Sequence, residues 1–356
     1  MSAQPQMVIS GSRLFARWLA TARASLAFTT YQAGKVLFVG LQPDGKLSVF
    51  ERSFDRCMGL GTRDRTLWMA TRTQMWRFED FLEPGASRDG YDARFVPVAG
   101  HTTGDVDVHD VHLRTEKPPL FVVTRFNAIA TLAQRGSFEV VWMPPFIDRV
   151  VAEDRCHLNG MAVEDDQLRF VTCVGRSNVS DGWRDHRVGG GMLIDVATGE
   201  TACAGLSMPH SPRLHNGALW LVQSGTGEFG RVDLATGRFE PVCFIPGFAR
   251  GISFVGEYAV IGMSRPRENR TFTGLPLDDR LAREGARPKC GLAVVNLETG
   301  ALEHQLVIEG IVEELYDVAV LPQIIRPMAL GFRNDEIAYS IRPEIAPDVA
   351  ESLARR

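Results

Sequence analysis

Short apolar runs separated by Gly-, Asn- and Asp-rich turns recur along nearly the whole chain, and they carry strand rather than helix periodicity. The stretch 208–242, MPHSPRLHNGALWLVQSGTGEFGRVDLATGRFEPV, holds one complete unit. A His-Ser-Pro lead-in enters a short strand, an apolar run follows at 219–222 with Trp220, a Gly-rich turn leads to 230–234, and an Ala-Thr-Gly turn hands over to 239–242. Four short strands at this period predict one blade of a β-propeller.

The unit recurs. Segments 249–265 and 290–308 form one copy, interrupted by a long insertion, and 156–176 with 190–205 form another; the turns DVATGE, DLATGR and NLETGA match among the copies. Segments 109–143 and 58–80 supply two more. The sixth is split: 27–51 gives three strands, and ELYDVAVLP at 314–322 reads as the missing innermost strand. Pairing the two ends of the chain in one sheet closes the ring without a free edge. The expectation is all-β: a six-bladed β-propeller of four-stranded blades over 27–322. A tail and a short amphipathic helix precede it within 1–26, where Leu14, Phe15, Trp18 and Leu19 recur at helical spacing. A C-terminal extension at 323–356 is expected to pack on the propeller or to join subunits of a homo-oligomer.

Composition narrows the partners. A ring of blades absorbs 356 residues without splitting, and 34 glycines suit a turn-rich β protein. A net charge of −4 argues against nucleic acid or an anionic membrane surface. Six scattered cysteines without a CxxC pair fit reduced, buried thiols. With no membrane-length apolar run and no signal-peptide layout, a cytoplasmic location is expected. Two long polar loops, 174–190 and 264–289, fall between the second and third strands of their blades and read as lids, with Trp183, Phe272 and Leu275 among charges.

Propeller geometry turns the repeat into a residue list, because the chain entering each innermost strand faces the channel mouth. Aligned blades put Met58, His109, His157 or Asn159, His210 or Ser211, Arg250 and Tyr316 at successive starts. Imidazoles converging from consecutive blades suit a divalent transition metal with positions left open for water or substrate. His109, His157 and His210 are the candidate ligands, with zinc, manganese or iron as the ion. His112, three residues after His109, faces away. Arg72, Arg125, Arg176 and Arg265 recur just after the second strands, with Ser224 at the fifth; with Arg250, and with Arg267 and Arg270 of a lid, they predict a small anionic, carboxylate-bearing substrate. Asn159 joins them as a substrate-binding candidate. Tyr316 and Asp317 are the candidate proton-transfer groups, with Glu314, Asp110, Asp107 and Glu228 behind them. The chain has no GxSxG elbow, phosphate-binding loop, GxGxxG after a strand or HExxH.

The motifs SLAFTTYQAGKVLFVG, HDVH, CHLNGMA, MPHSPR and PGFARGISF together resemble a bacterial conserved-domain family of propeller proteins without an assigned activity, over about Ser25 to Pro322. More loosely, the architecture is similar to the gluconolactonase and senescence-marker group, six-bladed metal-dependent lactonases. This chain departs from that group's oxygen-rich site by offering histidines, which suit a transition metal better than calcium. Histidine-liganded propellers also include manganese-binding oligogalacturonate lyases and iron-binding carotenoid oxygenases. The resulting expectation is a metal-dependent hydrolase, lyase or isomerase; an iron-dependent oxidoreductase and a non-catalytic module for a sugar, peptide or protein partner are the alternatives.

Overall fold

The computed structural model describes residues 7–265 and 273–355; Arg267, Arg270 and Phe272 lie outside them. Six antiparallel sheets form a ring of blades. Blade 1 pairs Val318–Pro322 with Ala24–Thr30, Lys35–Leu41 and Leu47–Ser53, so the two ends of the chain meet in one sheet. Blade 2 runs outward through Leu60–Arg63, Thr66–Ala70, Gln74–Asp80 and Ala93–Thr102, and blade 3 through Val108–His112, Leu120–Val123, Ala128–Thr131 and Glu139–Trp142. Blade 4 comprises Leu158–Glu164, Gln167–Cys173, Gly191–Asp195 and Thr201–Leu206. Blade 5 comprises Pro209–His215, Ala218–Gln223, Glu228–Asp233 and Arg238–Phe244, and blade 6 Phe248–Val255, Tyr258–Ser264, Cys290–Asn296 and Leu302–Glu309.

Two blades carry a fifth, outer strand. Val8–Gly11, read from the sequence as tail, pairs antiparallel with blade 6, and Pro327–Ala329 of the C-terminal extension pairs parallel with blade 2. Helix Phe15–Ala22 buries Phe15, Trp18 and Leu19 against blades 1 and 6 and stops at Arg23, which takes a left-handed φ of 49°. The extension ends in helix Pro347–Ala354, none of whose residues is buried. No helix among the described residues is long and apolar enough to cross a membrane.

Second and third strands are nearly all buried because each blade packs on two neighbours, and the core lies in the wedges between blades. The patch joining blades 1 and 2 packs Phe38, Leu60, Phe78 and Phe95 together. Polar ties complete the ring. A hydroxyl at the end of one blade's second strand donates to a carbonyl leading into the next blade: Thr29 Oγ1 to Met58 O at 2.6 Å, Thr124 Oγ1 to Leu158 O at 2.7 Å, Ser264 Oγ to Leu315 O at 3.1 Å, and Ser224 Oγ to Ala249 O. Side chains also satisfy amides on the inward edges. Asp317 accepts from Leu60 N at 2.9 Å, Asp110 from Met161 N at 3.1 Å, Ser211 from Gly251 N at 2.9 Å and Ser253 from Val320 N at 3.0 Å.

Two outcomes follow from these ties. Thr29 also accepts from Asp317 N at 3.2 Å, so Thr29→Val strands a buried carbonyl and a buried amide without altering shape; urea unfolding should show a loss of about 1–3 kcal/mol, and an unchanged midpoint would count against the tie. Asp317 is the titrating member of the set. Burial and the facing Asp110 charge raise its carboxyl to about 7, with Arg213 opposing them. A carboxyl raised in the folded state contributes stability below its unfolded value near 3.9, and that contribution is lost as pH rises through the folded value. Relative to Asp317→Asn, which keeps an oxygen acceptor but cannot ionise, the thermal midpoint of the native protein should fall between pH ~4 and ~7; a difference that stays constant with pH would refute this.

Candidate metal centre

Each candidate histidine stands at the start of an innermost strand, two or three residues after a residue in the left-handed region. Asp107 has φ 56°, Asp154 φ 43° and Met208 φ 47°. Such a conformation is tolerated by aspartate and strained for methionine. It turns the chain sharply before the strand begins, and His109, His157 and His210 share the wall of one cavity.

The structure brings these three rings together. Those of His109 and His157 meet edge to face with centroids 4.9 Å apart, and those of His109 and His210 lie 6.3 Å apart. One nitrogen from each lies within 4.8 Å of the others. The tautomers follow from the acceptors. His109 Nδ1 faces Asp107 O at 3.2 Å and Thr124 Oγ1 at 2.7 Å, whose own proton goes to Leu158 O. His210 Nδ1 faces Met208 O at 3.0 Å and Ser224 Oγ at 2.9 Å, whose proton goes to Ala249 O. His157 Nδ1 faces the Asp154 carboxylate, at 2.9 Å to Oδ2. Carbonyls and carboxylates only accept, so all three Nδ1 atoms carry the proton, and in the neutral ring that leaves the lone pair on Nε2.

Electrostatics favour the neutral ring at His109 and His210. Burial lowers the His109 pKa to about 4 against the pull of Asp107, and burial with the Arg250 charge lowers that of His210 well below the ordinary value. Burial raises the Asp154 carboxyl, but the His157 ring and the hydrogen bonds from His157 and Trp183 outweigh it and leave the pKa lowered. Neutral imidazoles, each with Nδ1–H tied to an oxygen, are the donor set and outer partners that a transition metal takes. Zinc bonds of about 2.0–2.1 Å would require the three nitrogens to close to roughly 3–3.5 Å.

The remaining walls enclose a cavity of about 230 Å³. Arg250 crosses one side, paired with Glu314 at 2.6 Å and stacked over Tyr316 at 4.8 Å and Phe248 at 5.5 Å. Tyr316 donates to Asp107 Oδ1 at 3.3 Å and stacks on Tyr31 at 5.3 Å; burial and Asp107 raise its pKa well above the usual phenol value. From the first long loop, Trp183 and Arg184 close the cavity. A larger hollow, of about 560 Å³, lies between blades 2 and 3 beside Trp68 and Arg114, and no histidine is among the residues that line it.

Other expected site residues lie elsewhere. Arg72 pairs with Asp55 at 2.8 Å, Arg125 with Asp105 at 3.7 Å and Arg265 with Glu313 at 3.8 Å, while Arg176 stacks on Phe146 at 5.0 Å. None of the four lines the cavity. Asn159 is buried in blade 4 and accepts from Thr172 Oγ1 at 2.8 Å, and the Asp317 carboxylate is spent on the amides of Leu60 and Val318. Asp110 forms a two-pronged pair with Arg213, at 2.7 and 2.9 Å, deeper in the ring. Sequence reasoning passed over Tyr31, Asp154, Met208 and Phe248. Asp154 had a signal: D-V-H at 107–109 and D-R-C-H at 154–157 both set an aspartate just before the histidine.

Comparison with known proteins agrees with the architecture. A search of the curated proteins finds no match. Among solved structures, the chain is similar to one in a nidogen/laminin complex, with a TM-score of 0.52 at 12% identity over 84% of this chain and 99% of that one. It is also similar to a protein of unknown function from Bacteroides caccae, at 0.43 and 11% over 84% and 98%. A third is a catalytically inactive virginiamycin B lyase from Staphylococcus aureus with quinupristin, at 0.39 and 12% over 85% and 99%. Identities this low speak to the fold alone, and only the first score is high enough to do so. The model of a domain of unknown function, DUF4915, matches residues 13–330, from the N-terminal helix to the added strand of blade 2, and the chain therefore belongs to the DUF4915 family.

Proposed function

We propose that this protein is a metal-dependent enzyme acting on a small carboxylate-bearing substrate, with a divalent zinc, manganese or iron ion held by His109, His157 and His210. The observation that carries the reading is that His109, His157 and His210, from consecutive blades, each commit Nδ1 to an acceptor and bring one ring nitrogen apiece within 4.8 Å of the others. Such an ion would supply Lewis acidity toward a substrate oxygen or a bound water of lowered pKa.

Charge and size favour an anion of modest dimensions. Imidazole ligands bring no charge of their own to the ion, with Asp107 and Asp154 standing behind two of the rings, and a substrate carboxylate would add a directly bound anionic ligand. Arg250, whose Nε is buried and has no hydrogen-bond partner among the described residues, orients that carboxylate. The cavity, at about 230 Å³, is smaller than the roughly 300–1,000 Å³ of pockets for drug-sized ligands. Tyr316, held to Asp107, is the group that gives or takes a proton at the reacting atom, as hydrolysis, elimination or isomerisation each require. Trp183 and the loop carrying it keep bulk water out.

The test is elemental analysis of protein purified without a histidine tag and without chelator, beside a His109→Ala/His157→Ala variant. Near-stoichiometric zinc, manganese or iron in the native protein, falling at least tenfold in the variant, is the expected result. Native protein that takes up none of the three metals even after reconstitution would overturn the reading.

A further inference from the structure

Trp183 sits in the short 3₁₀ helix Gly182–His186 of the first long loop and is almost wholly buried, at 1% exposure. Its ring stacks on His157 with centroids 4.1 Å apart and planes 26° from parallel. Its Nε1–H donates to Asp154 Oδ2 at 2.9 Å, the same oxygen that accepts from His157 Nδ1 at 2.9 Å. One indole therefore fixes both the face of the imidazole and the carboxylate that sets its tautomer. The indole also belongs to an apolar cluster with Met208, Phe248, Leu275, Leu277 and Leu281, and the Arg184 guanidinium lies over its ring at 4.5 Å. Leu277 and Leu281 lie on helix Pro276–Arg283 of the second long loop, which is anchored by Leu277 N to Gly225 O at 2.8 Å. The cluster also reaches a second candidate ligand: Met208 O accepts from His210, and Phe248 meets the His210 ring edge-on at 5.7 Å.

Resting on the three-histidine reading above, we infer that Trp183 is a positioning residue for the metal, and that the two long loops contribute to metal affinity through it. The indole acts through Asp154. With the carboxylate held by two donors, His157 has one ring orientation and one tautomer, and its lone pair faces the other two before any ion arrives. Without the N–H, the carboxylate can rotate toward water and the imidazole loses both constraints. Outer-shell groups of this kind are worth about 10–100-fold in metal affinity.

The experiment is titration of chelator-stripped protein with Co²⁺, followed by its visible absorption and by tryptophan fluorescence. Trp183→Phe keeps an aromatic ring against His157 but has no donor. It should weaken Co²⁺ binding about tenfold or more, with the thermal midpoint of the metal-free protein little changed and the quenching of native fluorescence by Co²⁺ largely abolished. A double-mutant cycle with Asp154→Asn separates positioning from packing: if Trp183 acts through Asp154, adding Trp183→Phe to Asp154→Asn weakens binding much less than it does in the native protein. Unchanged affinity in Trp183→Phe, or full additivity in the cycle, overturns the inference. Should Trp183→Phe not fold, Leu277→Ala loosens the apolar cluster that holds the indole and carries the same test: weaker Co²⁺ binding supports the inference and unchanged binding refutes it. Native protein that binds no Co²⁺ brings down the three-histidine reading itself, whereas tight binding that Trp183→Phe leaves intact brings down only the role of Trp183.

Discussion

A ring of sheets has one unavoidable defect: the inward edge of every innermost strand presents amides and carbonyls with no strand to pair with. In a buried channel such groups are expensive to leave unmet. This chain meets them with side chains. Asp317 and Asp110 accept amides from the next blade, Ser211 and Ser253 do the same, and the hydroxyls of Thr29, Thr124, Ser224 and Ser264 close the blade-to-blade junctions. The candidate metal centre grows out of the same network. Thr124 and Ser224 are junction ties and also the acceptors that fix His109 and His210. Backbone closure and side-chain tautomers are thus set by the same oxygen atoms.

That sharing explains why the centre is stiff. His210 is buried and His109 and His157 are partly so, and at His109 and His210 desolvation lowers the pKa and favours the uncharged ring. The price is strain at Met208, which takes the left-handed region. Deeper in the ring the polar chemistry changes character: Asp110 and Arg213 form a two-pronged pair, and Asp317 faces them. The upper level exposes lone pairs and the lower one uses every atom to hold strands together.

The six blades, the split closing blade and the convergence of His109, His157 and His210 were legible in the sequence, because repeat spacing alone assigns a residue to the start of an innermost strand. The arginines misled for a physical reason. A residue just past a second strand lies beside a segment that leads into an innermost strand, where Asp55, Asp105 and Glu313 are waiting, so repetition there reflects local ion pairs at the rim. A register error compounded this: Ser224 was aligned with the arginines, whereas its hydroxyl plays the part of Thr124, the residue before Arg125. Tyr316 and Asp317 are adjacent in the segment that leads into Val318–Pro322, yet Tyr316 lines the cavity while the Asp317 carboxylate accepts from Leu60 N and Val318 N. Tyr31 and Phe248 were illegible because their place depends on which loops face one another across the ring.

The closing strand has a consequence for how the protein is made. Blade 1 pairs Ala27 with Ala319, so most of the chain lies between partners in one sheet. During synthesis Ala24–Thr30 emerges early and must wait, with its inner edge unpaired, until Val318–Pro322 leaves the ribosome. Contacts of such sequence separation make folding slow and leave an exposed edge open to wrong partners in the interval. Tyr316 and Glu314 immediately precede that strand and complete the cavity wall. A chain that has not yet reached Glu314 can therefore hold all three histidines and still lack part of the cavity wall.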